Sequence, residues 1–248
     1  MKVAVCGKGG CGKSTTTILL AKELARMGKE VLIIDSDESN YGLSRQLGVE
    51  LPQDFTAYFG GKEKALQDMM LSNFTHQFFN ETWKIADVPS EYYAEKDGVK
   101  LMASGKIHVA NEGCACTMGN IISQFIGHLI LSEDEYALMD MEAGIEHFGR
   151  GIDNGVDAII MIVDPSYESL TMTGKILELG TSIGKPVYFV LNKVTDENRE
   201  MMEEAVCEGA KVICELPSKK EIMSAGLKGE VLDGEYDEIK KMAQKLMK

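Results

Sequence analysis

The chain has 248 residues, 44% of them hydrophobic, and its 39 acidic and 26 basic side chains give a formal charge of −13. This length suits one large α/β domain, and the apolar content is enough for a substantial core, which excludes a disordered chain. A surface this acidic repels nucleic acid and anionic lipid, so we expect no nucleic-acid partner and no membrane role.

Strand patterns alternate with helical patterns from the first residues onward. No leader precedes the first strand and no window of about 18 apolar residues follows it, so we expect a cytoplasmic protein. Strands are predicted at 2–6, 31–35, 99–103, 136–140, 157–163, 187–192 and 211–216, and helices at 13–27, 117–131, 168–180, 196–207 and 235–247. We predict an α/β fold with a mostly parallel sheet flanked by helices, forming one domain over 1–248. A less regular insertion is expected at about 48–98, with helices and a short strand whose bounds the pattern does not define.

The stretch GKGGCGKST occupies 7–15, between the first strand and the first helix. A strand, GxxxxGK[ST] and a helix form the P-loop arrangement, in which glycines let backbone N–H groups converge on phosphate oxygens. The motif predicts ATP binding, with Lys13 at the β- and γ-phosphates and the Ser14 hydroxyl on Mg²⁺. The predicted nucleotide contacts in this loop are Gly7, Lys8, Gly9, Gly10, Cys11, Gly12, Lys13, Ser14 and Thr15.

The second lysine of the loop, Lys8, is one that a P-loop does not need. KGGxGKST resembles the deviant Walker A motif of the ATPase class that includes MinD, ParA and the nitrogenase iron protein. The resemblance implies a homodimer in which this lysine reaches the phosphates bound by the other subunit. A cation supplied in this way stabilises charge on the transferred phosphoryl group, so hydrolysis would depend on dimer formation. Lys8 and Lys13 are therefore candidate catalytic residues.

Two later stretches resemble the switch regions of the same class. VLIIDSD is similar to its switch I, which implies that Asp37 orients the attacking water and is catalytic, and that Asp35 lies beside Mg²⁺. YALMDMEAG is similar to Walker B and switch II, which implies that Asp140 holds a Mg²⁺-bound water and that the Gly144 N–H faces the γ-phosphate. An alternative stays open for the two switch I aspartates, which could simply cap the turn after the strand.

Two short motifs near the end of the chain resemble the adenine-contacting elements of the class. LNK places Asn192 and Lys193 after a late strand, and ELP places Leu216 and Pro217 after the next one. The resemblance implies a hydrogen bond from Asn192 to the adenine edge. A plain turn residue at the strand end is the alternative for this asparagine.

The stretch GCAC puts Cys114 and Cys116 one residue apart, just before a helical pattern. Thiols near a helix N-terminus have lowered pKa values, which favours metal binding. Two thiolates supply half of a tetrahedral site, and a two-fold partner would supply the other half. The alternative is a pair of small thiols packed in a core.

This CxC motif, together with SEYYAEKDGVKLMASGKI and DMEAGIEHFGRG, resembles the CooC-type ATPases that mature nickel–iron carbon monoxide dehydrogenase. The resemblance implies nickel or zinc on Cys114 and Cys116 at a dimer interface, with ATP turnover accompanying nickel insertion. The implied client is apo carbon monoxide dehydrogenase or another nickel enzyme.

Three other functions stay open at this point. An electron-transfer ATPase resembling the nitrogenase iron protein would hold an Fe–S cluster on the four thiolates of a dimer. A MinD-like spatial organiser would use the tail DEIKKMAQKLMK as a basic amphipathic helix on membranes. A last helix packed on the sheet has the same pattern and is the interpretation we favour for that tail. A metabolic kinase is the third, although Lys8 argues against it.

Overall fold

In the computed structural model, residues 1–107, 115–143 and 155–247 are described, without the side chains of residues 115 and 116. The strands are β1 Lys2–Gly7, β2 Glu30–Asp35, β3 Tyr93–Lys96, β4 Val99–Ala103, β5 Glu135–Asp140, β6 Ala158–Val163, β7 Val187–Val194 and β8 Lys211–Pro217. They form one sheet in the order β3-β4-β2-β5-β1-β6-β7-β8, in which β3 runs antiparallel to β4 and the other neighbours are parallel. The predicted α/β fold with a mostly parallel sheet is confirmed.

Helices cover both faces of this sheet. They are α1 Lys13–Arg26, α2 Gly42–Leu47, α3 Lys62–Leu71, α4 Ala115–His128, α5 Tyr167–Ser182, α6 Arg199–Ala205, α7 Lys220–Lys228 and α8 Asp237–Leu246. Val3 and Val5 belong to an apolar cluster with α1 and α8, whereas Ala4 and Cys6 belong to a second cluster with α4 and α5. Two covered faces explain why the strands lack polar alternation. No helix within the described ranges is long and apolar enough to span a bilayer.

The insertion has its own aromatic core. Phe55 lies in a 3-10 turn over Phe55–Phe59 and is fully buried. Its ring lies 5.3 Å from the ring of Phe125 on α4 and 6.2 Å from the ring of Trp83, with both contacts edge-to-face. Rings in this arrangement stabilise by about 0.5–1.5 kcal/mol per pair beyond their buried area. The insertion is therefore fixed against α4.

The strand β3 lies in the insertion, where a short strand was expected without bounds. It forms a hairpin with β4 through Asp97 and Gly98, both of which have positive φ angles of 54° and 77°. Two consecutive left-handed residues are what a tight two-residue hairpin turn requires, and Asp-Gly is a favoured pair for it. The signal was present in the sequence as KDGV. The helix α3 lies in the insertion, where helices were expected. The short helices α2 and α7 were missed; each has nine residues or fewer.

The parallel strands bring several polar groups to one edge of the sheet. β1 ends at Gly7, and the neighbouring strands β2 and β5 end with Asp35 opposite Asp140. Near the end of β7, Asn192 pairs with Leu216 of β8, and a register shift follows. Ligands of open α/β sheets bind beyond the carboxyl ends of the strands. This edge is therefore the place to look for a functional site.

Candidate functional site

The phosphate loop joins β1 to α1 and is shaped by glycines with positive φ angles. Gly10 has φ 75° and Gly12 has φ 102°. A Cβ on Gly12 would lie 2.2 Å from Asn192 Nδ2, so no side chain fits at this position. The amide of Thr16 donates to Gly12 O at 2.9 Å, which closes the first turn of α1. The loop therefore ends at a helix N-terminus, where backbone N–H groups and the helix dipole favour a phosphate.

The two lysines of the loop have different environments. Lys13 is 7% exposed, and its Nζ donates to Lys8 O at 3.3 Å, within the loop itself. The side chain of Lys8 is 37% exposed, and its Nζ contacts Ser166 Oγ at 3.3 Å and Glu168 Oε2 at 3.2 Å. The pKa of Glu168 is held below its ordinary value by a hydrogen bond from its own backbone amide and next by Lys8. Lys13 thus belongs to the loop interior and Lys8 to the surface beside α5.

A hydroxyl and a carboxylate meet where a Mg²⁺ site is predicted. Ser14 Oγ donates to Asp140 Oδ2 at 2.5 Å, and Thr17 Oγ1 lies 3.5 Å from Asp140 Oδ1. Burial raises the pKa of Asp140 to about 7, and the nearby charge of Asp35 adds to the rise. Hydroxyl and carboxylate oxygens are the ligands that Mg²⁺ prefers, so this pair fits the ion. When bound there, Mg²⁺ would supply positive charge beside the phosphate oxygens.

The carboxylate of Asp35 is occupied by other groups of the protein. Its Oδ2 accepts from Lys106 Nζ at 2.5 Å, and its Oδ1 accepts from the amide of Asp37 at 3.2 Å. Burial raises the pKa of Asp35 to about 6, despite the opposing effect of Lys106. The structure therefore places Asp35 beside Asp140 but gives it a lysine partner. Its predicted contact with the Mg²⁺ shell stays a prediction.

The loop after β2 carries Asp37 and Asn40. Asp37 is half-buried, and its Oδ1 accepts from the amide of Ser39 at 3.0 Å and from Ser39 Oγ at 2.7 Å. Asn40 Nδ2 donates to Ser14 Oγ at 2.8 Å, so this loop contacts the phosphate loop directly. Asn40 and Lys106 were missed by the sequence analysis. Lys106 lies within the quoted stretch SEYYAEKDGVKLMASGKI but was not singled out, and Asn40 lies in no quoted motif. Each makes these contacts with residues at least 26 positions away.

The adenine-contacting candidates line a cleft of about 240 Å³ beside the phosphate loop. Asn192 Nδ2 donates to Cys11 O at 2.7 Å, and Asn192 Oδ1 accepts from the amide of Lys193 at 2.9 Å. Lys193 has φ 59°, and its Nζ donates to Gly10 O at 2.7 Å. The phosphate loop is therefore braced by Asn192 through Nδ2 and by Lys193 through Nζ. The predicted bond from Asn192 to adenine stays a prediction.

Part of the lining of this cleft was not predicted. Leu216 and Pro217, at the end of β8, line the cleft, and their predicted contact with adenine stays a prediction. Further lining comes from α7 and the start of α8. It includes Ile222, Met223, Gly226, Tyr236, Glu238 and Ile239. An apolar cleft with a few polar groups suits a flat heteroaromatic ring.

Some predicted site residues lie outside the described residues. These are Cys114, the side chain of Cys116, and Gly144. Ala143, the residue before Gly144, lies beside the phosphate loop, because a Cβ on Gly9 would be 3.6 Å from its Cβ. The described cysteines, Cys6, Cys11, Cys207 and Cys214, are free thiols. Over the ranges 1–107, 115–143 and 155–247, no group of three or more His, Cys, Asp and Glu side chains could hold a metal ion.

Comparisons with known proteins agree with this geometry. The family model for the CobQ/CobB/MinD/ParA nucleotide binding domain matches residues 2–232. An uncharacterised ATP-binding protein of Methanocaldococcus jannaschii is 49% identical over 251 residues, which cover 100% of both chains. The carbon monoxide dehydrogenase accessory protein CooC of Rhodospirillum rubrum is 32% identical over 199 residues, covering 78% of this chain and 74% of that protein.

Solved structures share the fold. The septum site-determining protein MinD of Pyrococcus horikoshii, complexed with Mg-ADP, matches with a TM-score of 0.70 at 17% identity. The match covers 99% of this chain and 95% of that one.

Proposed function

Because the chain belongs to the CobQ/CobB/MinD/ParA family of nucleotide-binding domains and is an ATPase of the MinD/ParA class, we propose that it closes around ATP as a homodimer and carries a metal ion on Cys114 and Cys116. The cargo is nickel or zinc, and the recipient is apo carbon monoxide dehydrogenase or another nickel enzyme. The similarity to CooC of Rhodospirillum rubrum supports this assignment.

In the proposed hydrolysis, a water held by Asp37 attacks the γ-phosphorus in line with the bridging oxygen. The new oxygen–phosphorus bond forms as the bond to ADP breaks. Lys13 of the same chain and Lys8 of the partner place positive charge beside the oxygens on which negative charge develops. A preorganised cation of this kind lowers the barrier, because it needs no reorganisation at the moment of reaction.

The observation that carries the proposal is the position of Lys8. Of the two lysines, Lys13 lies in the interior of the loop. Lys8 lies at the surface of its own chain, with its Nζ 3.2 Å from Glu168 Oε2. A solvent-exposed ion pair of this kind contributes little stability, so a facing phosphate can replace Glu168 at little cost. This geometry supports a lysine that serves the nucleotide of a second chain.

The metal site follows from the dimer. α4 begins at Ala115, between the two cysteines of the motif. Positive partial charge at a helix N-terminus favours the thiolate forms, and two such pairs across a two-fold axis would make a four-sulfur site. ATP binding would draw the pairs together, and hydrolysis would release the metal to the client.

The metal assignment is tested with the double variant Cys114→Ala, Cys116→Ala. We expect nickel binding, measured by equilibrium dialysis under anaerobic conditions, to be lost while ATPase activity stays close to that of the wild type. The half-buried Cys207 provides the matched control, and Cys207→Ala should bind nickel normally. Nickel binding by the double variant at the wild-type stoichiometry would show the assignment to be wrong.

Two alternatives give different outcomes in the same preparation. An Fe–S protein would be brown after anaerobic purification, with iron and sulfide in place of nickel or zinc. A membrane-bound organiser would need the apolar face of the last helix to be exposed, so that it could contact lipid. In the structure the apolar face of α8 is buried, with Ile239, Met242 and Leu246 all less than 10% exposed. This packing favours the metal-handling proposal over a MinD-like membrane tail.

A further inference from the structure

We propose that Lys106 is a positioning residue for ATP hydrolysis, which holds the loop carrying Asp37 in place beside the phosphate loop. The inference rests on the role of Asp37 in the proposed function. Lys106 follows β4 and is 0% exposed, which is rare for a lysine. It touches neither the phosphate loop nor the cleft for adenine, so its effect on the reaction must pass through other residues.

The ammonium of Lys106 has three N–H donors, and three oxygen atoms of the described residues accept hydrogen bonds from it. Asp35 Oδ2, Asp37 O and Asn40 O each lie 2.5 Å from its Nζ. All of its hydrogen-bonding capacity is therefore used. Two of the three acceptors are main-chain carbonyls of the loop that follows β2, and this loop bends around the ammonium. A side chain that only neutralised Asp35 would not need those two carbonyls.

Main-chain contacts join the same two segments. The amide of Ser104 donates to Asp35 O at 2.9 Å, and the amide of Ile107 donates to Glu38 O at 3.2 Å. Tyr41 Oη donates to Ile107 O at 2.7 Å. The segment 104–107 and the loop 35–41 are thus linked at both ends and by Lys106 in the middle. They form one unit.

The insertion holds Lys106 from the other side. The amide of Lys106 donates to Asp54 Oδ2 at 3.1 Å, and Lys62 Nζ donates to Lys106 O. Lys62 also lies 3.6 Å from Asp54 Oδ2. The insertion therefore fixes the backbone of Lys106, and the side chain of Lys106 holds the loop 35–41 through hydrogen bonds.

The contact reaches the phosphate loop through Asn40. The carbonyl of Asn40 accepts from Lys106, and its side-chain amide donates to Ser14 Oγ, which in turn donates to Asp140. Asp37 lies within the same loop, three positions before Asn40. A misplacement of a catalytic group by about 1 Å can lower the rate by about 100-fold. We therefore expect the hydrogen bonds from Lys106 to this loop to affect kcat.

The test is a four-member set of variants: wild type, Lys106→Met, Asp35→Asn, and the two combined. Removing one partner of a buried ion pair is strongly destabilising, whereas replacing both by neutral groups often is not. The combined variant is therefore the decisive one if Lys106→Met does not fold. For each folded protein, kcat and the Kd of a non-hydrolysable ATP analogue are measured.

A positioning role predicts that Lys106→Met lowers kcat by about 100-fold and barely changes the Kd. The combined variant should likewise have a kcat about 100-fold below that of Asp35→Asn. Lys100 supplies the control, because it lies on β4 but pairs with Glu30 at the other end of the strand. Lys100→Met should keep the wild-type kcat.

Two results would overturn the inference. In the first, the combined variant has the same kcat as Asp35→Asn, so that Lys106 only neutralises a buried carboxylate. In the second, the Kd rises as much as kcat falls. The variant Asp37→Asn separates this inference from the proposed function: if it keeps the wild-type kcat, the role of Asp37 is wrong whatever Lys106 does.

Discussion

At the scale of single residues, the phosphate loop depends on a position where no side chain fits. Gly12 combines a left-handed backbone with close contact to the amide of Asn192, which also donates to Cys11 O. Asn192 therefore acts as a brace between β7 and the loop. Any atom added at position 12 must displace that brace or move the backbone of the loop.

The variant Gly12→Ala should consequently lose nucleotide binding. We expect a stability cost of about 1–2 kcal/mol from the left-handed backbone, together with loss of binding of a fluorescent ATP analogue. Gly28 offers a matched control, because it has φ 82° but no atom within 4 Å of the position of an added Cβ. Gly28→Ala should have a similar stability cost with unchanged affinity. Wild-type affinity in Gly12→Ala would contradict this account of the loop.

The cysteine thiols should differ in how fast they are alkylated. Burial raises the pKa of Cys11 to about 11 and that of Cys214 to about 12, so both remain protonated at pH 8 and become reactive only as the pH approaches those values. Mass spectrometry after brief alkylation at pH 8 should find Cys114, Cys116 and the half-buried Cys207 modified. Nickel with ATP should protect only the first two. Rapid modification of Cys11 in the folded protein, or no protection by nickel, would contradict the expectation.

Short motifs in the sequence identify candidate site residues, whereas residues that depend on distant contacts leave no local signal. The P-loop could be predicted because its function requires a fixed spacing of glycine, lysine and serine between a strand and a helix. Lys106 could not, because Asp35 is 71 positions away and no local pattern distinguishes a buried lysine from a surface one. Asn40, the link from its loop to Ser14, was missed for the same reason.

At the scale of elements, the last helix shows how packing decides between two interpretations of one pattern. α8 places its apolar face in the cluster that contains Leu20 and Leu24 of α1 and Ile213 of β8. The lysines of the helix, Lys240, Lys241 and Lys245, are exposed. The Nζ of Lys245 also donates to Ile213 O at 2.6 Å. A membrane-touching helix and a packed helix share this sequence pattern, so only the tertiary contacts separate them.

Truncation of Met242, which is fully buried, tests this packing. We expect Met242→Ala to lower the free energy of unfolding by about 2–5 kcal/mol, as is typical of a buried methionine. Met247 lies next to the end of α8 and is 41% exposed, and Met247→Ala should change stability by no more than about 0.5 kcal/mol. Urea denaturation measures both. Equal effects of the two variants would mean that α8 is not held on the sheet as described.

The boundaries of the longer elements could be predicted, whereas the insertion could not. A buried parallel strand needs a continuous apolar run, and its crossover helix needs a 3.6-residue period, so both leave strong signals. The segment 48–98 is instead fixed by aromatic side chains such as Phe55 and Phe79, whose rings lie 6.2 Å apart. Such contacts follow no period in the sequence.

At the scale of the whole molecule, the proposed function requires two copies of the chain. Lys8 lies on the surface beside α5, and the two cysteines flank the first residue of α4. In the proposed function each feature serves the dimer: Lys8 would reach the phosphates bound by the partner chain, and two thiolates supply half of a tetrahedral site. A dimer closed by nucleotide accounts for both at once.

The measurement that tests this most directly is sedimentation velocity of the nickel-loaded protein with a non-hydrolysable ATP analogue, combined with metal analysis of the sedimenting species. We predict a species of two chains with one nickel ion, and monomers when Lys8 is changed to Ala. A nucleotide-loaded wild type that sediments as a monomer, or that carries one nickel ion on every single chain, would contradict the shared site.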